Sequence, residues 1–310
     1  MENLKLIFYL TVLPGLLFTA VAGGLLSWFD RKLSARVQWR RGPAWFQPFA
    51  DLAKLMGKET IVPAAGPRFV FLLAPLAGLA AAIMASWIIW LSLLRPESGF
   101  VGDLIVVIYL LTVPAFALVA GGLVSGNPLS SLGAGREIKL LLAYELPLLL
   151  SFLVPVVRSG SLRLGEIVLY QAKGGAFAGI WSGFLALVAA IVCQQAKIGM
   201  SPFDIAEAET EINGGPLLEY SGPPLAAFKF TRMIMLLIMP VLLITLFWGG
   251  IAFSPPGILS GVGKVLVLVL VAVLIKNTNP RLRIDQALRF FRGPVTILAA
   301  AALVLALIGV

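Results

Sequence analysis

Long apolar runs alternate with short polar segments along the whole chain. Each crossing of a bilayer needs about 20 apolar residues. Eight runs approach or exceed that length, at approximately 4–26, 69–94, 103–124, 138–157, 178–196, 224–248, 264–276 (extendable back to 258) and 293–310. The pattern predicts an all-α integral membrane protein, with one polytopic membrane domain over 1–310 and about eight transmembrane helices. The first run is followed by Asp30-Arg31-Lys32 and not by a small-residue cleavage site. It is therefore expected to be a retained helix and no cleavable signal peptide.

Two polar segments carry helical signals of their own. From Pro48, apolar residues recur at Phe49, Leu52, Ala53, Leu55 and Met56, with Asp51, Lys54 and Lys58 toward the other face. This predicts a short amphipathic helix that starts at a proline and lies in the membrane interface. By composition it is a headgroup-level anchor. Further on, Ser201-Pro202-Phe203-Asp204 reads as a helix start, with a Ser cap, a proline in the first turn and an acid three residues after the cap. A helix from there places Asp204, Glu207 and Glu211 on one face, with Glu209 elsewhere. Gly214-Gly215-Pro216 would end it. Three acids on one face repel one another, so the pattern makes sense if they titrate, bind cations or meet basic partners. The plain alternative is a solvated acidic helix.

Charge adds an orientation. Of the 310 residues 59% are hydrophobic and only 13% charged, against about 25% charged in soluble domains. Of the 24 Lys and Arg, 18 lie in the odd-numbered loops and their flanks, 27–68, 125–139, 197–232 and 276–292, and six on the opposite side. The asymmetry places these loops in the cytoplasm and both termini outside, in the inner (cytoplasmic) membrane of the cell. The net charge of +9 is then mostly this bias, with some attraction for membrane lipid headgroups. It does not indicate a nucleic-acid partner. Five of the 15 acids nevertheless cluster between 204 and 219, on the basic side.

The side-chain inventory excludes much chemistry. Histidine is absent and Cys193 is the single cysteine. No His-ligated metal site is expected, and the chain cannot hold an iron–sulfur cluster by itself. No phosphate-binding G-x-x-x-x-G-K-[ST] loop occurs. Any redox centre would belong to partners. Glu145 stands inside the apolar run 140–157. A carboxylate there costs a few kcal/mol unless paired or protonated. It is a candidate proton or ion relay, the alternative being a structural hydrogen bond to a neighbouring helix. The basic stretch 279–292 could anchor to headgroups or meet an acidic neighbour. The two halves show no pair of matching interrupted helices, which argues against a stand-alone transporter.

Several short motifs occur in order across the chain. They include Asp30-Arg31-Lys32, Gln38…Arg41-Gly42-Pro43, Gln47-Pro48…Asp51…Lys54-Leu55, Lys58-Glu59, Leu132-Gly133…Arg136 and Tyr144-Glu145. They continue with Ser201-Pro202-Phe203-Asp204…Glu207-Ala208-Glu209…Glu211, Glu219-Tyr220-Ser221-Gly222 and Arg281…Arg283…Asp285-Gln286. Together they make the chain resemble the membrane subunit of respiratory complex I under the peripheral arm (NADH dehydrogenase subunit 1) and its relatives in membrane-bound group 4 [NiFe]-hydrogenases. One departure is informative. Only Ala44-Trp45-Phe46 separates Gly42-Pro43 from Gln47-Pro48, where quinone-reducing complex I has a longer stretch. The short loop resembles the hydrogenase branch and weighs against a full quinone tunnel; the alternatives are the quinone-site subunit of complex I and the membrane subunit of a related sulfur-reducing complex, which would share this subunit type.

The resemblance implies a membrane-anchoring and coupling subunit of an oxidoreductase complex, hydrogenase-type and ion-translocating. It implies hydrogenase-like large and small subunits, Fe–S subunits and antiporter-like membrane subunits as partners. No cofactor is expected in this chain; Fe–S clusters and a NiFe centre are expected in the partners. Glu145, Asp204, Glu207, Glu209 and Glu211 would relay protons or ions. Arg36, Arg40, Arg41, Gln47, Asp51, Lys54, Glu59, Arg136, Glu219, Tyr220, Arg281, Arg283 and Asp285 would line the docking or redox-site loops, 27–68, 125–139, 197–223 and 276–292.

Overall fold

The computed structural model of the chain describes residues 16–64 and 66–309. Among these the regular structure is helical, without strands. The helices are α1 (Leu16–Val37), α2 (Gln47–Met56), α3 (Arg68–Leu94), α4 (Asp103–Val124), α5 (Pro128–Ser159) and α6 (Leu164–Gly174). They continue as α7 (Trp181–Lys197), α8 (Glu209–Ile212), α9 (Gly222–Phe247), α10 (Pro255–Thr278), α11 (Ile284–Phe290) and α12 (Thr296–Ile308).

Among the described residues six segments are long and apolar enough to cross a membrane: α3, α4, α5, α9, α10 and the run from α11 through α12. The 4–26 run lies partly outside the described residues. Its described part continues as helix to Val37, through Asp30-Arg31-Lys32. The 178–196 run forms α7, which has 17 residues.

Helices reach further into the polar segments than the apolar pattern indicates. Asn127 caps α5 by accepting from the Leu129 N–H (2.9 Å), and Pro128 takes the first turn, where its missing donor costs nothing. Residues 128–139, read as a loop, are therefore the first turns of α5. Ser254 caps α10 in the same way, so that helix starts at Pro255 and not near 264. Residues 284–290 are likewise helical. A π turn, Phe291–Val295, joins α11 to α12; it contains Pro294, whose lack of an N–H breaks the regular ladder.

The bundle is built around α9. In that helix 89% of the membrane-length window is buried, against 28–56% for the other candidate spans. It packs against α1, α2, α3, α7 and α10, while α5, α7 and α12 pack on one another at its side. Helix α2 docks on α1 and α9. Pro48 and Leu55 are buried, Phe49 and Leu52 half-buried, and Ala53 and Met56 exposed. Its apolar positions are thus split between the bundle and the surface.

The acidic stretch departs from the expected helix. Residues 201–208 form turns, and only Glu209–Ile212 is helical. Asp204, Glu207 and Glu211 therefore do not share a helix face. Tertiary contacts outweigh the local capping signal. Phe203 is buried against Phe290 and Phe291 (ring centroids 6.0 and 4.8 Å), and the Leu282 N–H donates to the Pro202 carbonyl (3.1 Å). A helix through these residues would break both.

Candidate functional site

The polar loops meet at one end of the bundle. Lys276 on α10 pairs with Asp30 on α1 (2.9 Å). Gln38 donates to Asn277 (3.2 Å), and Ser221 Oγ donates to the Glu59 carbonyl (3.3 Å). Three of the four acids of the 204–211 stretch, Asp204, Glu207 and Glu211, each take a basic partner from a different element. Arg281 holds Asp204 through two hydrogen bonds (2.9 and 2.6 Å). Arg232 on α9 holds Glu207 (2.6 Å) and also donates to the Gly199 carbonyl. Arg136 on α5 holds Glu211 (2.7 Å). The hydrogen bond to Asp204 stabilises the charged Arg281 guanidinium, raising its pKa above the usual value.

This segment is pinned from below by close packing. Gly133 on α5 faces Pro216, Ala206 and Gly215; a Cβ there would lie 2.6 Å from Pro216 Cδ and 2.9 Å from the Ala206 carbonyl oxygen. Gly121 on α4 faces the Tyr220 hydroxyl as closely, so both positions exclude a side chain. Tyr220 is buried, stacks on Phe71 (centroids 4.0 Å) and donates to the Phe71 carbonyl (3.0 Å). Burial pushes its phenol pKa up. Asn127 donates to Glu219 (2.7 Å).

Below the acidic segment lies a cavity of about 530 Å³. Leu111, Pro114 and Phe228 give it an apolar wall; Glu137, Lys197, Asp204, Glu207, Glu209 and Arg232 give it a polar one. A second cavity, about 310 Å³, lies on the other side of Asp204 and Arg232, toward Asp30, Asp51 and Lys276. Glu145 pairs with Lys197 of α7 (3.1 Å), whose side chain is only 2% exposed. The Lys197 ammonium also sits over the Tyr144 ring, 5.7 Å from its centre.

The remaining candidates sit on the surface of this end. Asp51 accepts from Arg31 (2.8 Å) and Gln47 (2.8 Å). Burial alone would raise its pKa, but these hydrogen bonds and the Arg31 charge outweigh that and hold it below the usual 3.8. Arg36, Arg40, Arg41, Lys54, Glu59, Arg283 and Asp285 are exposed, as is Glu209. Trp39 is 99% and Trp45 61% exposed beside them. Sequence reasoning did not single out Lys197, Arg232 or Glu137. The first two counted only as flanking positive charge. A lysine directly after an apolar run, and an acid eight residues before Glu145 on one helix, were the available signals.

Fold and site together define a polytopic membrane protein whose charged groups gather at one end of a helical bundle. The chain belongs to the complex I subunit 1 family: the NADH dehydrogenase family model matches residues 9–307. It is 34% identical over 296 residues to the H subunit of NADH-quinone oxidoreductase from Rubrobacter xylanophilus, covering 88% of each chain. It is 35% identical over 285 residues to the same subunit of Thermomicrobium roseum, covering 84% of this chain and 83% of the other. Among solved structures it resembles a chain of the membrane-bound sulfane sulfur reductase, an archaeal respiratory membrane complex. The TM-score is 0.85 at 29% identity, covering 93% of this chain and 96% of that one.

Proposed function

We propose that the chain is the membrane-anchoring and coupling subunit of a complex I-like respiratory complex of the ferredoxin-linked, membrane-bound hydrogenase type. In this reading eight helices cross the inner membrane with both termini outside. The polar end faces the cytoplasm, and α2 lies at the interface. Hydrogenase-like large and small subunits and Fe–S subunits, carrying the Fe–S clusters and the NiFe centre, dock on the exposed Arg36–Arg41 and Trp45–Phe46 loop. Antiporter-like subunits continue the membrane arm. Redox events in the docked arm shift the contacts of the 204–211 segment. Protons or sodium ions then move by way of the cavity and Glu145. The observation that carries the coupling role is the convergence of Asp204, Glu207, Glu137 and Lys197 on one cavity that reaches from the acidic segment to the Glu145 pair.

The short Ala44-Trp45-Phe46 loop favours the hydrogenase branch. A sulfur-reducing complex is the second reading, favoured by the likeness to the sulfane sulfur reductase. The test is purification of the native complex through a tag on this chain. Nickel and hydrogen evolution support the first reading; sulfane sulfur reduction without nickel supports the second; quinone reduction overturns both. Ion translocation is read in vesicles as ions per electron. A Lys197→Met, Glu145→Gln double variant removes the relay without stranding a buried charge. Unchanged ions per electron in that variant would overturn the coupling role of Glu145.

A further inference from the structure

We propose that Glu137 is the proton-carrying group at the junction between the cavity and the buried Lys197–Glu145 pair. The inference rests on the coupling function proposed above and gives a role of its own to a residue that function names only as part of the cavity wall. The carboxylates reached by the cavity differ in one respect. Asp204 is held by Arg281 and Glu207 by Arg232, and Glu209 is exposed to solvent. Glu137 is 8% exposed and lines the cavity. It makes no hydrogen bond or ion pair with any described residue.

A carboxylate locked to a guanidinium holds its charge and exchanges protons poorly. A buried one with no counter-ion has a proton as its available means of neutralisation. Arg232 and Glu207 line the same cavity, and they already satisfy each other. Nothing in this packing gives Glu137 a structural task.

The next buried polar group along the helix is placed to continue the path. Tyr144 is seven residues on, about 10 Å along the axis and on the same side of α5. Its hydroxyl is fully buried and has no hydrogen-bond partner among the described residues. The Lys197 ammonium lies over its ring and pairs with Glu145 in the next position. Glu137, Tyr144 and Lys197–Glu145 thus form a file from the cavity into the bundle. Glu137 takes up a proton at its carboxylate from the cavity side and releases it toward Tyr144, whose hydroxyl gives up its own proton toward Glu145 as it accepts one, so that neither residue changes its bonds in the net.

The test uses the assembled complex in membrane vesicles, with proton and sodium uptake measured alongside electron transfer. Glu137→Gln keeps the shape and removes the exchangeable acid. Its translocation rate is expected to fall about a hundredfold, the lower end of what a positioned proton carrier contributes. Glu137→Asp should retain most of the rate. Translocation unchanged in Glu137→Gln but lost in the Lys197→Met, Glu145→Gln double variant overturns this inference and leaves the coupling function standing. Translocation unchanged in both overturns the coupling function as well.

Labelling of the wild-type complex with a hydrophobic carbodiimide, which attacks protonated carboxyls, decides the matter if Glu137→Gln does not assemble. Mass spectrometry should find the adduct on Glu137 and not on Asp204 or Glu207. An unlabelled Glu137 overturns the proposal.

Discussion

The Lys197–Glu145 pair makes the sharpest energetic prediction. Lys197 Nζ lies 3.1 and 3.4 Å from the two Glu145 oxygens, with side chains 2% and 18% exposed. Removing one partner of such a pair strands the other charge, at about 3–5 kcal/mol. The exposures rank the two halves. Lys197→Met leaves a carboxylate less enclosed by the bundle, so its cost belongs near about 3 kcal/mol. Glu145→Gln leaves an ammonium with almost no access to water, so its cost belongs near about 5 kcal/mol. The double variant Lys197→Met, Glu145→Gln strands nothing and should recover most of both losses, because apolar replacement of a whole buried pair is often neutral. The assay is unfolding of the purified chain in mixed micelles by SDS titration, followed by circular dichroism, on all four members of the cycle. Single effects that add to within about 0.5 kcal/mol would refute the pairing as an energetic unit. The same logic makes Glu145→Gln alone a poor probe of ion transport, since lost assembly and lost relay would coincide.

Two further outcomes follow from the geometry. Gly133→Ala should push the Ala206 and Gly215–Pro216 backbone off α5, at about 1–3 kcal/mol, and speed hydrogen exchange across 206–217. Gly135→Ala, with nothing within 4 Å of its added methyl, should leave that exchange unchanged; equal effects at both positions would sink the packing argument. Asp51 sets a pH dependence. Its folded pKa is below the usual 3.8, so its contribution to docking α2 is complete above that value and lost as pH falls through the lower, folded one. Trp45 fluorescence should report loosening of α2 only below about pH 4. The step should be small, because exposed pairs contribute at most about 1 kcal/mol, and Asp51→Asn should abolish it.

The candidate site was legible as residues but not as contacts. Asp204, Glu207 and Glu211 stand out in the sequence as acids on the basic side, and Arg136 and Arg281 stand in the motifs of the family resemblance. Which acid meets which base was not readable. Arg136 and Glu211 are 75 positions apart and Arg281 and Asp204 are 77. The Ser201 capping signal even pointed to the wrong local structure, because burial of Phe203 and the Arg281 contacts outweigh about 1 kcal/mol of capping. Glu137 looked like part of a loop until Asn127 and Pro128 proved to start a 32-residue helix.

By itself the sequence determined where the apolar helices run and that one side of the bundle is basic. A bilayer demands long apolar segments with satisfied backbones, and that demand is written locally. It did not determine which helix is central. Lipid tails are as apolar as leucine, so a span facing lipid and one facing protein read alike. Only the tertiary structure placed α9 at the core, with 89% of its window buried against 28% for the last span. The same packing brought Lys197 to Glu145, arranged the acids around a cavity, and left Glu137 there without a counter-charge.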